Sequence, residues 1–400
     1  MPEPRWFHWA GLGNDGRIYA FGGYVLPRGE VVRQHGLKQY AMVVYDPQQD
    51  MWQRGPEPPA FRTTLRDVNR RRTLEGEWFL DPWETTVETK VDHQRMTGAS
   101  GGGGEIYWFA RRGDGPVIFD PETRAWTQPE GVIYYRNENR YEGSVPLAYA
   151  HNNAATATGP DGKIYLLGGF SRPKKDSGIW ERTLLRQVEV YDPKTNAWSE
   201  IAPMQRARQL FAACFGPDGK LYVFGGYGHE GSITQRPGES DAEFARRGAE
   251  MRALDEALDF VEAWDPKTDS WSLRAPMPLG VIGAGAALGA DGRIYVVGGT
   301  PLFSSSSEPI DRVQVYDPRT DSWSNGPSLN VARHGHAVVA TPDGKIYAIG
   351  GTNRHSVFHP RQMVGGRPGK KGELLDSVEV LETEPREPTA EPRPAPPDWG

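Results

Sequence analysis

The sequence predicts an all-β protein built as a six-bladed propeller, on three observations. The first is a recurring phrase in which Asp-Gly, a short apolar and aromatic run and a glycine pair follow one another. It occurs at Asp15-Gly16 to Gly22-Gly23, Asp161-Gly162 to Gly168-Gly169, Asp218-Gly219 to Gly225-Gly226, Asp291-Gly292 to Gly298-Gly299 and Asp343-Gly344 to Gly350-Gly351, with the Asp always seven residues before the pair. The second is an aromatic residue, Asp-Pro, and a Trp six residues after the Asp: Asp46/Trp52, Asp120/Trp126, Asp192/Trp198, Asp265/Trp271 and Asp317/Trp323. The third is composition, since 48 Gly and 34 Pro in 400 residues are too many for a helical protein and call for many short turns.

Each phrase has a local reason. Asp-Gly supplies the positive φ of a tight hairpin and joins an inner strand a to strand b, as where Ala337-Thr341 turns into Lys345-Ile349. The glycine pair ends strand b, where a side chain would obstruct close backbone packing. Strand c is the alternating type of Val188-Glu189-Val190-Tyr191. Asp-Pro opens the c–d turn because Pro cannot continue a ladder and Asp bonds to the backbone two residues on. Trp then sits early in strand d, where a large ring fills the wedge that widens with radius between blades.

This pattern resembles the kelch family over residues 4 to about 382, with the doubled glycine and Asp-Pro-x4-Trp as its specific marks. Five copies of strand b are clear and a sixth, Glu105 to Ala110, is degenerate, with Ala110-Arg111-Arg112 in place of the glycine pair. The first blade begins at strand a near Arg5-Trp6-Phe7-His8, which aligns with Arg333-His334-Gly335-His336. The last reaches strand c at Val378-Glu379-Val380-Leu381 without a following Trp. Kelch rings usually close by sharing one blade between the termini, so the resemblance implies such closure while the missing Trp speaks against it. The expected organisation is a propeller over residues 1–382 and a Pro-rich, disordered tail over 383–400.

In an antiparallel blade the a–b and c–d turns share one face of the disc, and the b–c and d–a loops share the other. Nearly all extra length falls in the second set, in b–c loops at 24–39, 170–186, 227–258, 300–311 and 352–375 and d–a loops at 57–92 and 128–150. Long loops on a rigid scaffold concentrate function, which makes this the expected working face. Ten residues after each blade Trp stand Arg62, Arg136, Arg208 and Arg333, with Val281 as the exception, and Arg5 takes the equivalent place in the first blade. Convergent guanidinium groups bind carboxylates and phosphates. The competing reading is scaffold, each Arg paired with a neighbouring carboxylate or backbone carbonyl. The 57–92 loop adds Arg66, Arg70-Arg71-Arg72, Trp78, Phe79 and Trp83 and alternates like a hairpin strand at Thr85-Thr86-Val87-Glu88, as a lid or partner-binding flap would. The 227–258 insertion carries a capping box, Ser240-Asp241-Ala242-Glu243, and a stripe of Phe244, Met251, Leu254 and Leu258, which predicts a short helix.

Several signals are discounted. Gly11-Leu12-Gly13-Asn14-Asp15-Gly16 spells a dinucleotide fingerprint but lies on strand a and its turn rather than at a helix start. His334 and His336 read as repeat positions, and Cys214 as a small apolar residue of strand a. No catalytic constellation is recognisable, so catalytic residues remain unassigned, and neither a metal nor a cofactor is expected. A net charge of −6 argues against broad nucleic-acid binding, and no apolar run reaches the ~20 residues of a membrane span. A cytoplasmic monomer is the expectation. The leading functional reading is an interaction propeller that docks an acidic peptide or protein segment on the Arg-bearing loop face. The alternative is an enzyme acting on an anionic sugar at the channel mouth, because kelch-like sialic acid mutarotases resemble this chain in having one long helical b–c insertion; Arg208 and Arg333 would then hold the carboxylate.

Overall fold

A computed structural model describes residues 1–25, 37–38, 42–57, 61–72, 78–89, 97–109, 116–128, 133–135, 140–142, 153–171, 183–228, 257–302, 307–353 and 374–383. Six antiparallel sheets in chain order form the blades. Blade 1 consists of strands a to d at Trp9–Leu12, Ile18–Phe21, Val43–Asp46 and Met51–Arg54. Blade 2 follows with Thr97–Ser100, Ile106–Phe109, Val117–Asp120 and Ala125–Thr127, and blade 3 with Ala155–Thr158, Ile164–Leu167, Val188–Asp192 and Ala197–Ile201. Blade 4 comprises Ala212–Phe215, Leu221–Phe224, Val261–Asp265 and Ser270–Leu273, and blade 5 Gly285–Leu288, Ile294–Val297, Val313–Asp317 and Ser322–Asn325. Blade 6 has three strands, Ala337–Ala340, Lys345–Ile349 and Val378–Glu382. Among the described residues no helix is long and apolar enough to cross a membrane, and the expected helix at 240–258 falls almost wholly outside them.

The turn chemistry accounts for the repeat. At Asp15, Asp161, Asp218 and Asp291 the Asp carboxylate accepts the backbone N–H two residues on and the hydroxyl of the strand b Tyr, as Asp218 does from Lys220 at 3.3 Å and from Tyr222 at 2.9 Å. Each Asp-Pro carboxylate likewise accepts the N–H two residues later, at Gln48, Glu122, Lys194, Lys267 and Arg319. Two residues before each Trp the backbone turns left-handed, at Asp50, Arg124, Asn196, Asp269 and Asp321. At four of these the side chain ties back to strand c: Tyr45 to Asp50, Tyr191 to Asn196, Trp264 to Asp269 and Tyr316 to Asp321. Each Trp pairs across the ladder with the strand c aromatic, for example Tyr45 with Trp52 and Tyr191 with Trp198, rings 5.0 Å apart.

The core lies between blades rather than within them, because every blade is a single sheet with two faces to bury. Tyr165, Leu167, Val188 and Val190 of blade 3 pack on Leu221, Val223 and Trp264 of blade 4. The second glycine of four of the five pairs donates its N–H to the following blade: Gly169 to the Arg208 carbonyl, Gly226 to Val281, Gly299 to Arg333, and Gly351 to Arg5, at 2.7–2.8 Å. Only glycine fits there, since at Gly226 φ is +91° and a Cβ would lie 2.6 Å from Phe211 Cβ. Nearer the axis a second chain of bonds runs Phe7 N to Gly335 O, Gly335 N to Gly283 O, Gly283 N to Leu210 O and Leu210 N to Asn153 O.

Closure uses those same contacts and, among the described residues, no shared blade. Blade 1 is complete from residues 9–54 alone, while blade 6 stops at strand c. The seam is held by Gly351 to Arg5, by Phe7 to Gly335, and by apolar packing of Val339, Tyr347 and Ile349 on Ile18, Val43 and Tyr45. The sequence leaves the mode of closure open, and among the described residues no strand from one terminus joins the blade of the other. Thr383 turns back rather than out, with its N–H and hydroxyl both donating to the Gly344 carbonyl.

The two long d–a connections join one another. Phe61–Arg72 and Trp78–Thr89 form a hairpin of two twelve-residue strands, Ile133–Tyr135 runs parallel to Thr64–Arg66, and Arg140–Glu142 completes the sheet. Hairpin alternation at Thr85–Glu88 was visible in the sequence; the pairing of two loops separated by a whole blade was not.

Candidate functional site

Strand order alone sends the b–c and d–a connections from one edge of every blade, because each neighbouring pair is antiparallel. The five arginines divide on that face into two groups. Arg5, Arg208 and Arg333, with Val281, stand four residues before strand a of their blades, at Trp9, Ala212, Ala337 and Gly285. The same count in blades 2 and 3 reaches His93 and His151, whereas Arg62 and Arg136 stand far ahead of strand a. Counting forward from Trp gave one ring only because three d–a connections are short. Arg62 belongs to the accessory hairpin, opposite Glu88 in register, and Arg136 lies outside the described residues.

The guanidinium groups of Arg5, Arg208 and Arg333 are wholly buried. Arg208 donates through Nη1 to the carbonyls of Gly225 and Phe260, both at 3.1 Å, and through Nη2 to Glu262, itself fully buried. Arg333 repeats this with Gly350 at 3.0 Å, Ser377 and Glu379. Each Arg thus closes the gap left where the glycine pair ends strand b and strand c begins. Arg5 approaches Glu3 at 3.6 Å. Burial lowers all three arginines from their ordinary pKa, Arg5 to about 10, and the neighbouring carboxylates oppose the shift. Arg208 and Arg333 carry the bonding pattern that the scaffold reading describes, while Arg5 is buried beside Glu3. The sugar-acid alternative loses its carboxylate clamp for the same reason, Arg208 and Arg333 being committed to Glu262 and Glu379.

The carboxylates are what sequence reasoning missed. They sit at the second residue of strand c, three before its closing Asp or Glu, where the repeat reads Glu189, Glu262, Gln314 and Glu379. Gln314 belongs to blade 5, whose Arg position is Val281. Its amide instead takes the Leu279 N–H and donates to the Leu279 carbonyl, both at 2.9 Å. Glu262 and Glu379 accept the corresponding N–H groups, Gln205 and Arg206 in blade 4, Asn330 and Val331 in blade 6. Charge is balanced in blades 4, 5 and 6, Arg with Glu and Val with Gln, whereas blade 1 sets Arg5 beside Val43 and blade 3 has Glu189 with His151 at the Arg position. That covariation between repeats was the available signal.

The remaining candidates are inert. His8 and His336 are buried; burial, then Arg5 and Arg333 respectively, push their pKa values down, that of His8 to about 3. Burial pushes the Cys214 thiol up to about 12. Among the described residues no group of three potential ligands gathers as a metal would require.

The family model of the Kelch motif matches residues 153–205 and 285–330, which hold all four strands of blade 3 and all four of blade 5. Kelch-like protein 35 of Mus musculus is 31% identical over 195 residues, 48% of this chain and 26% of that protein. Beta-scruin of Limulus polyphemus is 29% identical over 224 residues, 54% of this chain and 21% of that one. Kelch-like protein 34 of Homo sapiens is 25% identical over 234 residues, 56% and 31% of the two. The match thus spans between a fifth and a third of the length of these relatives.

Proposed function

We propose that this chain, which carries Kelch motifs over residues 153–205 and 285–330, is an interaction propeller which docks an acidic peptide or protein segment on its loop face, at the accessory hairpin. One observation carries this: the charge register of the hairpin. Arg62 stands opposite Glu88 and Arg66 opposite Glu84 in register, residues of opposite sign. Toward the tip, Arg70, Arg71 and Arg72 stand opposite Leu80, Phe79 and Trp78, with no acidic residue in register. Three consecutive cations beside two aromatics have the composition of interface anchors, and Arg favours carboxylate partners through its forked donors. The scaffold arginines do a different job, holding the blades from which the hairpin springs.

The test is fluorescence anisotropy with labelled Glu-rich peptides carrying an aromatic residue, and with neutral Gln-substituted controls. Binding should require the acidic residues, weaken with added salt, and fall at least about tenfold, ~1.4 kcal/mol, in the Arg70→Ala/Arg71→Ala/Arg72→Ala variant. Equal binding of acidic and neutral peptides, or binding untouched by the triple substitution, would overturn the proposal.

A further inference from the structure

Blades 1 and 2 meet differently from the later blades, and the difference centres on one residue. Two residues before each strand d Trp the backbone is left-handed, and four of the five residues there are Asp or Asn, the non-glycine types that tolerate it best. Blade 2 has Arg124, at φ +55°. In the other four blades that side chain accepts from the strand c aromatic, as Asp321 does from the Tyr316 hydroxyl at 2.6 Å, but blade 2 has Phe119, which has nothing to donate. In blades 4 and 5 the acid also reaches the preceding blade, where Asp269 accepts the Ala202 N–H at 3.0 Å and Asp321 the Ala275 N–H at 2.9 Å. Pro56 holds the matching place in blade 1, four residues after its Trp, and has no N–H. Acceptor and donors are thus absent together, and a cation stands where the acid would be.

A small cleft lies between the two blades at this point. Buried Tyr19, Val44 and Phe119 line it beside Pro56, and its charged groups are Arg17 and Arg124. Arg17 is already paired, with Asp46 at 3.2 Å and Asp15 at 3.6 Å, much as Lys163 and Lys220 are with Asp192 and Asp265 in blades 3 and 4. Arg124 is exposed and has no ion-pair partner among the described residues. The Trp126 ring packs on Phe119, centroids 5.0 Å apart, and its buried indole N–H meets no acceptor among the described residues, where Trp271 and Trp323 donate to the Ala202 and Ala275 carbonyls. Trp198 shares this, but its counterpart of Ala202 lies outside the described residues.

We propose that the cleft between blades 1 and 2 is a second docking site, which takes the carboxylate of an acidic side chain flanked by apolar residues on a partner protein, with Arg124 as its clamp. Charge complementarity carries this: where the junctions of blades 3 with 4 and 4 with 5 place Asp269 and Asp321, this one presents an unpaired guanidinium over apolar ground. Size selects the occupant. The cleft admits the tip of one side chain, and a free small acid would bury too little there to bind tightly, whereas a segment of polypeptide adds contacts along the rim. Arg17 follows the a–b turn of blade 1 and Arg124 lies in the c–d turn of blade 2, so the cleft opens on the side of the turns and owes nothing to the accessory hairpin.

The experiment titrates the whole protein into a labelled peptide, Gly-Ser-Leu-Glu-Leu-Ser-Gly capped at both ends so that Glu is its one carboxylate, and into the same peptide with Gln for Glu, following anisotropy. Saturable binding of the Glu peptide is expected, with the Gln peptide at least about tenfold weaker. The variant carrying Phe119→Tyr and Arg124→Asp, which rebuilds the pairing of Tyr316 with Asp321, should lose binding by a similar factor while its thermal unfolding stays at or above that of the parent. Should that variant unfold early, Arg124→Gln decides, because it removes the cation at an exposed position and should lose binding as well. The Arg70→Ala/Arg71→Ala/Arg72→Ala variant should bind this peptide as the parent does, so failure here and failure at the hairpin are told apart. The proposal is overturned if the Glu peptide shows no saturable binding or Gln serves as well as Glu. It is overturned equally if Arg124→Gln leaves the affinity unchanged, or if the hairpin substitution abolishes binding.

Discussion

Arg208 and Glu262 form a buried pair whose value lies in being complete. The guanidinium satisfies two carbonyls and a carboxylate, and the carboxylate in turn accepts two backbone N–H groups. Removing one partner strands the other's charge in the interior, which costs about 3–5 kcal/mol, whereas replacing both by a neutral, well-fitted set is often nearly neutral. Blade 5 supplies that set in Val281 and Gln314. Arg208→Val and Glu262→Gln should therefore each lower unfolding free energy by about 3 kcal/mol or more, while the double variant returns to within about 1–2 kcal/mol of the parent. Urea unfolding of the four proteins measures this; additive losses would show that the two residues are not coupled. The same logic explains why the arginines misled on sequence alone. A cation before strand a is visible along the chain, but the glutamate that neutralises Arg208 lies 54 residues on, and only the repeat alignment connects them.

At the scale of elements, the strap from the glycine pair to the next blade joins local turn chemistry to ring assembly. Gly226 combines a left-handed backbone with a site where Cβ would meet Phe211 Cβ at 2.6 Å and Gln209 O at 2.8 Å. Gly226→Ala should destabilise the propeller by about 2 kcal/mol or more, the left-handed penalty of ~1–2 kcal/mol plus the displaced contact. Gly219→Ala, in the Asp-Gly turn where nothing lies within 4 Å, should cost only the conformational part, about 1–2 kcal/mol. Equal losses in thermal unfolding would refute the steric account. These positions also mark what was legible beforehand. The blades, their turns and the Trp positions are written in contacts a few residues apart, so Asp-Gly, Gly-Gly and Asp-Pro-x4-Trp gave them correctly, including the degenerate strand Ile106–Phe109. The accessory sheet depends on Ile133–Tyr135 meeting Thr64–Arg66 across an entire blade, and no periodicity records such a meeting.

For the whole molecule the seam between blades 6 and 1 is the place where the ring is held by non-covalent contacts alone; His8 lies on it beside Gly350, and His336 takes the same place between blades 5 and 6 beside Gly298. His8 immediately precedes strand a of blade 1 and His336 that of blade 6. Both are buried, and the titratable groups facing them are Arg5 and the amino terminus for His8, and Arg333, His334 and His8 for His336. Burial first and these groups next disfavour imidazolium, against a backbone hydrogen bond to Arg5 for His8 and to Val297 for His336 that favours it, so both rings are neutral in the folded state well below the ordinary value near 6.5. The folded chain then binds fewer protons than the unfolded one once the pH drops below 6.5, and stability present above that pH is lost as pH falls toward 3. Carboxylates remain ionised over the upper part of this window, so between pH 6.5 and 5 the histidines dominate. Each group contributes a slope approaching ~1.4 kcal/mol per pH unit below its unfolded pKa. Urea unfolding should show stability roughly flat from pH 8 to 7 and falling by about 2 kcal/mol or more between pH 6.5 and 5. The variant carrying His8→Gln and His336→Gln should lose most of that slope even if its stability at pH 7.5 is somewhat lower. A slope that survives both substitutions would place the acid sensitivity elsewhere in the ring.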